Sequence, residues 1–208
     1  MVFVLCLAAI VLFMPSGMRA QAVDPAILPA RESHQGLLIA VRPDITVERS
    51  RARFGKRTPF EAGILGLDVY FRNDNGVPIR INLDEVRLLI GRRGDRPQKL
   101  EPLFPREVAD LMLKTGKEPT IRRRSPLPGL GGTSNKEWDT LHALLSSAAM
   151  SSDVLPPHST THGYFYFDMN HQFDLLSNAR LDIPDLAFML NNEALFFFQI
   201  DLSPPAPR

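Results

Sequence analysis

Apolar and polar residues alternate most clearly in two stretches, "LDVYFR" over residues 67–72 and "IRINLD" over residues 79–84. A period of two is typical of a strand that buries one face. The residues between the two stretches, Asn73-Asp74-Asn75-Gly76, tolerate the positive φ angles that a tight turn requires. The pattern therefore predicts two half-buried strands joined by a turn.

Four shorter apolar runs predict further strands. They are "LLIAV" after Gly36, "GYFYFDM" from Gly163, "ARLDI" from Ala179 and "ALFFFQIDL" from Ala194. Short apolar runs of this kind are typical of buried strands. In the last run, the alternation predicts that Phe196, Phe198, Ile200 and Leu202 share the inner face.

The middle of the chain has a helical pattern instead. Apolar residues recur at helical spacing in "PREVADLMLK" from Pro105, and Trp138 begins an apolar stripe in "SNKEWDTLHALLSSAAM". Residues 115–133 between them hold Gly, Pro and Ser, and loops of this length are usually functional or disordered. We therefore predict a helical insertion at about residues 105–150. It would serve either as a cap over an exposed sheet edge or as a partner-binding element, and either use would bury Trp138.

The order of these elements indicates the fold class. Strands, a helical excursion and strands again, without β–α alternation, predict a mainly β fold, namely an antiparallel β-sandwich with a helical insertion. Around it we expect a signal peptide over residues 1–22, an N-terminal tether or edge segment over 23–35 and a proline-rich tail over 204–208. A single sandwich domain would then span residues 36–203.

Two stretches, "FRNDNGVPIRINLDEVRLLI" and "LPPHSTTHGYFYFD", resemble immunoglobulin-like β-sandwich domains of exported, uncharacterised bacterial proteins. In these domains an apolar strand runs into an Asn-rich turn and a "P-I" strand. A later Pro-rich turn precedes a "G-x-F-x-F" strand. Because such domains mostly act as binding or structural modules, the resemblance implies a module and names no ligand.

The N-terminus predicts the compartment. The apolar run over residues 2–14 is followed by Ala20-Gln21-Ala22, an A-x-A cleavage pattern that is typical of a secretory signal peptide. The run is shorter than the about 20 residues of a transmembrane helix, so a retained anchor is the alternative. Cys6 is the only cysteine and lies in this leader, so the mature chain would have neither disulfide nor thiol. We expect a periplasmic or secreted protein without a transmembrane span.

Charge supplies the first candidate site. The chain is close to neutral, with 24 Lys+Arg against 23 Asp+Glu, and we expect no nucleic-acid partner. Basic residues nevertheless concentrate over residues 42–57, where Arg49, Arg51 and Arg53 would project from one face if the segment were extended. Arg122, Arg123 and Arg124 form a second cluster. Such patches suit an anionic polymer, lipid head groups or an acidic partner, or else a solvated edge where like charges discourage aggregation.

Histidines supply the second candidate. His158, His162, Asp168 and His171 are close in sequence, and imidazole and carboxylate groups are zinc ligands. Prolines precede them and an aromatic strand follows, so we predict that His158 and His162 flank a turn and that His171 lies beyond the strand. A metal site formed by these four residues is the alternative, and we expect no cofactor.

These patterns lead to three functional hypotheses. The first is an exported, non-catalytic module that binds an envelope or extracellular protein or supports an envelope assembly, with the arginines and Trp138 as candidate contacts. The second is a periplasmic metal-dependent hydrolase that uses the histidine-rich region. The third is a protein that binds an anionic surface through residues 42–57. A binding protein is favoured over an enzyme.

Overall fold

The structure, a computed structural model, describes residues 23–92, 94, 96–114 and 136–203. These residues form eleven strands, three α-helices and several short 3-10 helices. The strands are β1 (Ala30–His34), β2 (Leu37–Asp44), β3 (Ile64–Asn73), β4 (Ile79–Ile81), β5 (Arg87–Ile90), β6 (Gln98–Leu100), β7 (Val154–Leu155), β8 (Ser159–Asp168), β9 (Arg180–Ile183), β10 (Leu186–Phe188) and β11 (Phe198–Asp201). The α-helices are α1 (Val47–Phe54), α2 (Pro105–Lys114) and α3 (Lys136–Ala148).

The strands form three antiparallel sheets. The first has the order β1-β2-β3-β8, the second β10-β4-β7 and the third β11-β9-β5-β6. The strand β3 lies in the middle of the first sheet and pairs along its length with β2 on one side and β8 on the other. The prediction of a mainly β, antiparallel fold with a helical insertion is confirmed.

One face of the first sheet packs against the other two sheets. Alternate residues of β3, including Leu67, Val69 and Phe71, are fully buried in this layer. They belong to one hydrophobic cluster with Leu88 of the third sheet and Ile81 of the second. The apolar positions of the alternating pattern are therefore the inner positions of the core.

The opposite face of the first sheet carries the helices. There Tyr164 and Tyr166 of β8 pack with Phe54 of α1, Val108 of α2 and Leu145 of α3 in a second hydrophobic cluster. The Tyr166 hydroxyl donates a hydrogen bond to the Leu145 carbonyl oxygen at 3.3 Å. The insertion is thus held against the sheet by both apolar contacts and a buried hydrogen bond.

The two ends of the insertion pair with the free edge of β8. The Leu103 amide donates to the Tyr166 carbonyl oxygen at 2.7 Å, and the Met150 amide donates to the Tyr164 carbonyl oxygen at 3.0 Å. The approach is so close that a Cβ atom at Gly163 would lie 2.6 Å from the Met150 Cα atom. Residues at both ends of the insertion therefore cover part of this edge, and the other use, partner binding, stays a prediction.

Two predicted strands have different bounds in the structure. The strand predicted over residues 79–84 ends at Ile81, because Leu83–Glu85 turns as a 3-10 helix. The last strand begins at Phe198, and the side chain of Phe196 is 70% exposed rather than inner. The Phe196 amide donates instead to the Gln35 side-chain oxygen at 2.8 Å, so the backbone ladder starts two residues later.

The N-terminal segment of the described chain joins the first sheet. Residues 30–34 form the edge strand β1. This strand lies within residues 23–35, which were predicted to form a tether or an edge segment. The predicted signal peptide, the loop with Arg122, Arg123 and Arg124, and the tail over 204–208 lie outside the described residues. None of the helices in the described ranges is long and apolar enough to cross a membrane.

Candidate functional site

Polar side chains from three neighbouring strands meet on the helix-bearing face of the first sheet. The register places Arg42 of β2 beside Asp68 of β3, and Asp68 beside Tyr164 of β8. The next pair toward the C-terminal end of β3 is Tyr70 with His162. Because alternate residues of a strand share a face, these five side chains form one cross-strand cluster.

Asp68 is the centre of this cluster. Its side chain is only 2% exposed, and burial of a carboxylate is costly unless it is paired and hydrogen-bonded. Its Oδ2 atom accepts hydrogen bonds from Arg42 Nη2 at 2.6 Å and from the Tyr70 hydroxyl at 2.7 Å. His162 Nδ1 lies 3.2 Å from the other oxygen, Oδ1. Three side chains therefore compensate the buried charge.

His162 lies inside β8, so the prediction that it flanks a turn is wrong. The two β-branched threonines before it extend the strand back to Ser159. The imidazole stacks on the Tyr70 ring, with ring centres 4.9 Å apart and planes 10° from parallel. About half of the His162 side chain is exposed, so the residue joins the buried network to the surface.

A second buried carboxyl group, Asp44, lies at the end of β2. Its Oδ2 atom accepts a hydrogen bond from the Tyr164 hydroxyl at 3.0 Å, whereas its Oδ1 atom is buried without a hydrogen-bond partner among the described residues. Burial raises the pKa of Asp44 above its usual range. Burial also raises the pKa values of Tyr70 and Tyr164, so both hydroxyls stay protonated and act as donors.

A cavity of about 580 Å³ opens beside this cluster, between α1 and the sheet. It is lined by Val23, Arg42, Arg49, Ala52, Arg53, Asp68, Tyr70, Thr160, His162 and Tyr164. We call it the α1 cavity. Its volume lies within the range of about 300–1,000 Å³ that is usual for small-ligand sites.

The three arginines would share one face only in an extended segment, and this condition is not met, because residues 47–54 form the helix α1. The Thr46 side chain accepts a hydrogen bond from the Arg49 amide at 3.2 Å and caps the helix, and Gly55 ends it with a φ of 82°. Residues four apart share a helix face, whereas residues two apart do not. Arg49 and Arg53 accordingly line the α1 cavity, and Arg51 does not.

The three arginines of α1 differ in their partners. Arg51 forms an exposed ion pair with Glu61. Arg49 donates to the Pro43 carbonyl oxygen at 3.1 Å, and the Arg53 guanidinium carbon lies 5.8 Å from the centre of the Tyr164 ring. Within the part of the chain that the structure describes, neither Arg49 nor Arg53 has an acidic partner within ion-pair distance. The Asp44 carboxyl group interacts electrostatically with Arg49 without a direct ion pair, so the cavity wall carries two arginines that no carboxylate of the described residues pairs directly.

Trp138 lies away from the α1 cavity, between the two helices of the insertion. Its Nε1 atom donates to Asp110 Oδ1 at 2.9 Å, and its ring stacks on His142 with centres 4.8 Å apart. The side chain is half-buried and joins α2 to α3. Its contacts are those of a structural residue of the insertion.

The four candidate metal ligands are spread along the sheet. The His158 amide bonds to the Asn75 carbonyl oxygen at one end of β8, whereas His171 packs against Gly63 at the other end. His162 and Asp168 are six residues apart on the strand, on the order of 20 Å. No group of three His, Cys, Asp or Glu side chains that could hold a metal ion occurs among the described residues.

Sequence reasoning missed the buried polar residues of this site. Asp68 and Tyr70 fall on the face of β3 that alternation assigns to solvent, and Asp44 lies three residues beyond the predicted run "LLIAV". Tyr164 lies in a run that was predicted to be buried, but its polar partners were not predicted. The available signal was Arg42 and Asp68 in otherwise apolar strands, because charged residues within such strands are usually paired. Which residues pair depends on the register between β2 and β3, and a local sequence pattern does not determine that register.

Comparisons with known proteins place the chain in no family. No family model matches it, and no curated protein matches it. A functionally unknown protein from Listeria monocytogenes EGD-e is similar in structure at a TM-score of 0.34 and 11% identity, over 74% of this chain and 68% of that one. A Bordetella pertussis protein assigned as ApaA gives a TM-score of 0.36 and 12% identity, over 86% and 99%. At these TM-scores neither likeness carries an argument, and the immunoglobulin-like resemblance stays a prediction.

Proposed function

We propose that the chain is an exported, non-catalytic module that binds an anionic group of an envelope or extracellular partner in the α1 cavity. The observation that carries this proposal is the pair Arg49 and Arg53, which line the cavity without a carboxylate partner in the described ranges. Export is supported only by the sequence of residues 1–22.

Charge in the cavity favours an anionic ligand. Three arginines line the wall, and Asp68 is the single acidic residue that lines it with them. Asp68 is already paired with Arg42, so it does not compensate Arg49 or Arg53. A guanidinium group presents five N–H donors in a planar fork that matches carboxylate and phosphate oxygens. An anionic group on a partner would supply the acceptors that the cavity lacks.

The strand residues Arg42, Asp68, Tyr70 and Tyr164 form the sheet side of the α1 cavity, which we call its floor. The arrangement of these residues supports a binding site rather than a catalytic one. Asp68 is engaged by three side chains, and the hydroxyls of Tyr70 and Tyr164 are held as donors by their raised pKa values. These groups stand on paired strands, where a site is held more precisely than on loops. The floor is therefore a preorganised surface on which a ligand can rest without rearrangement.

The proposal is tested by the binding of a fluorescent glutamate-rich peptide and of inorganic polyphosphate, measured by anisotropy and by calorimetry. We expect at least one of them to bind, and to bind more weakly as salt is added, because exposed charges are screened over about 10 Å at 0.1 M salt. The double variant Arg49→Gln/Arg53→Gln should lose binding. Arg51→Gln, on the same helix but turned toward Glu61, should keep it. Equal binding by all three proteins, or binding by none, would overturn the proposal.

A further inference from the structure

The spacing of charges in the α1 cavity restricts the kind of anion. Arg49 and Arg53 are four residues apart on one helix face, where Cβ atoms lie about 5–6 Å from each other. Both side chains line the same cavity, and the N–H donors that remain beside the Arg49–Pro43 hydrogen bond can approach one tetrahedral group from two sides. The cavity wall holds three arginines and one carboxylate, and 3 − 1 leaves two positive charges.

We infer that the anionic group bound in the α1 cavity is a phosphate monoester, held between Arg49 and Arg53. This inference rests on the proposed function and names the ligand of that same site. A phosphate monoester carries about −1.5 to −2 charges at pH 7 and has three terminal oxygens. It therefore matches both uncompensated arginines, whereas a single carboxylate would match one.

Two further polar side chains line the same cavity. His162 has its Nδ1 atom beside Asp68, so Nε2 lies on the other side of the ring and has no hydrogen-bond partner among the described residues. The Thr160 side chain is exposed two residues earlier on the same face of β8. The two guanidinium groups and the Thr160 hydroxyl provide enough donors for three phosphate oxygens, whereas Nε2 of a neutral His162 whose Nδ1 atom donates to Asp68 is an acceptor.

The Asp68 carboxylate repels an anionic ligand only weakly, because its charge is already paired. One of its oxygens is covered by Arg42 and the Tyr70 hydroxyl, and the other faces His162. The carboxylate therefore acts through Arg42 and His162, whose positions it fixes. Asp44 does not line the cavity, although its carboxyl group interacts electrostatically with Arg49 and Arg42, and burial raises its pKa.

The cavity also has room for the carbon part of the ester. A volume of about 580 Å³ is larger than a phosphate group needs, and Val23, Ala52 and the Tyr164 ring add apolar surface to the wall. The shared chemistry is a phosphate monoester on a small carbon skeleton. A soluble phosphorylated metabolite and the head group of phosphatidic acid both present it.

The test is a titration of the purified protein with inorganic phosphate and with glycerol 3-phosphate, followed through amide chemical shifts. Succinate, a dianion with two separate carboxylates, is the control for charge alone. We expect shifts on α1 and β8, and affinity for glycerol 3-phosphate at least about tenfold higher than for succinate, because one group can bridge both guanidinium groups. Arg49→Gln and Arg53→Gln should each weaken phosphate binding by about tenfold, whereas Arg51→Gln should not.

Two further outcomes are decisive. Equal affinity for succinate and glycerol 3-phosphate, or shifts that lie away from α1 and β8, would overturn the phosphate inference. In that case binding of the glutamate-rich peptide through Arg49 and Arg53 would still uphold the proposed function. Vesicles of phosphatidylcholine with and without phosphatidic acid identify the source. Tighter binding to the phosphatidic acid vesicles than to glycerol 3-phosphate indicates the lipid, and binding of glycerol 3-phosphate without binding to the vesicles indicates a soluble ligand.

Discussion

Arg42 and Asp68 form an ion pair of 2.6 Å across neighbouring strands, and the Asp68 carboxylate is almost completely buried while the arginine is about one-third exposed. The asymmetry matters because removal of the cation would leave a buried charge without its main partner. The pair therefore contributes to the stability of the sheet as well as to the shape of the α1 cavity.

The first prediction is that Arg42→Gln destabilises the protein. We expect a loss of about 2–3 kcal/mol in the free energy of unfolding, below the about 3–5 kcal/mol of a fully buried pair because Arg42 is partly exposed. Urea denaturation at pH 7 measures the change. Arg51→Gln removes an exposed pair with Glu61 and should cost at most about 1 kcal/mol. Similar losses in the two variants would contradict the importance of the buried pair.

The second prediction concerns Asp44. Because burial raises its pKa in the folded protein, the folded state binds more protons than the unfolded state between the usual pKa and the raised pKa. Asp44 therefore makes the protein less stable as the pH rises through that window. Asp44→Asn removes this effect and keeps an oxygen that accepts from Tyr164. We expect the variant to be more stable than the wild type at pH 7 and to lose that advantage toward acidic pH.

Asp201 is a control of opposite sign for this measurement. Hydrogen bonds from Ser203 lower the pKa of Asp201, so its contribution to stability is present at neutral pH and is lost as the pH falls through the lowered pKa. Asp201→Asn should therefore reduce stability at pH 7. Urea unfolding curves between pH 3 and pH 7 compare the two variants. A parallel pH dependence of both would refute the assignment for Asp44.

The third prediction tests how the insertion meets the sheet. A methyl group at residue 163 would lie 2.6 Å from the Met150 Cα atom, and backbone cannot move aside as a flexible side chain can. We expect Gly163→Ala to cost about 1–3 kcal/mol, because overpacking forces backbone shifts. Faster hydrogen exchange of the Met150 amide should accompany the loss.

Gly76→Ala is the matched control for Gly163→Ala. The nearest atom to a Cβ at residue 76 is His158 Nε2, at an ordinary contact distance of 3.8 Å. We expect a change within about 0.5 kcal/mol, as for other surface substitutions. If both variants unfold at the same urea concentration, the edge of β8 is not closely covered by the insertion.

The fourth prediction concerns processing. Cleavage after Ala22 would make Val23 the first residue, and Val23 lines the α1 cavity. Intact mass of the exported protein should correspond to a start at Val23, or at Gln21 if cleavage follows Ala20. A mass that includes Met1 on envelope-located protein would indicate a retained anchor instead.

The alternating pattern predicted the inner face of β3 correctly but not the use of its outer face. Leu67, Val69 and Phe71 are buried as predicted, yet Asp68 and Tyr70 between them are also buried. Alternation distinguishes the two faces of a strand, but it does not reveal whether helices cover the second face. The covering helices are α1, which lies in the connection between β2 and β3, and α2 and α3, which belong to the later insertion.

The helix α1 was missed because its sequence has little apolar periodicity. Only Ser50 and Phe54 of its residues are buried, and its arginines suggested a charged edge. Its formation depends on the Thr46 cap and on the contact of Phe54 with Tyr164. The α1 cavity could not be predicted either, because two of the residues that line it, His162 and Asp68, are separated by 94 positions in sequence.

That separation has a consequence for biosynthesis. The floor of the α1 cavity combines β2 and β3, which emerge early from the ribosome, with β8, which emerges only after the entire helical insertion. Contacts between such distant segments form late, since loop closure must precede them. A chain that stops before Tyr164 lacks part of the lining of the α1 cavity, so the ligand that we propose would bind only molecules in which β8 has paired with β3. By mass action, it would also protect them selectively from unfolding and proteolysis.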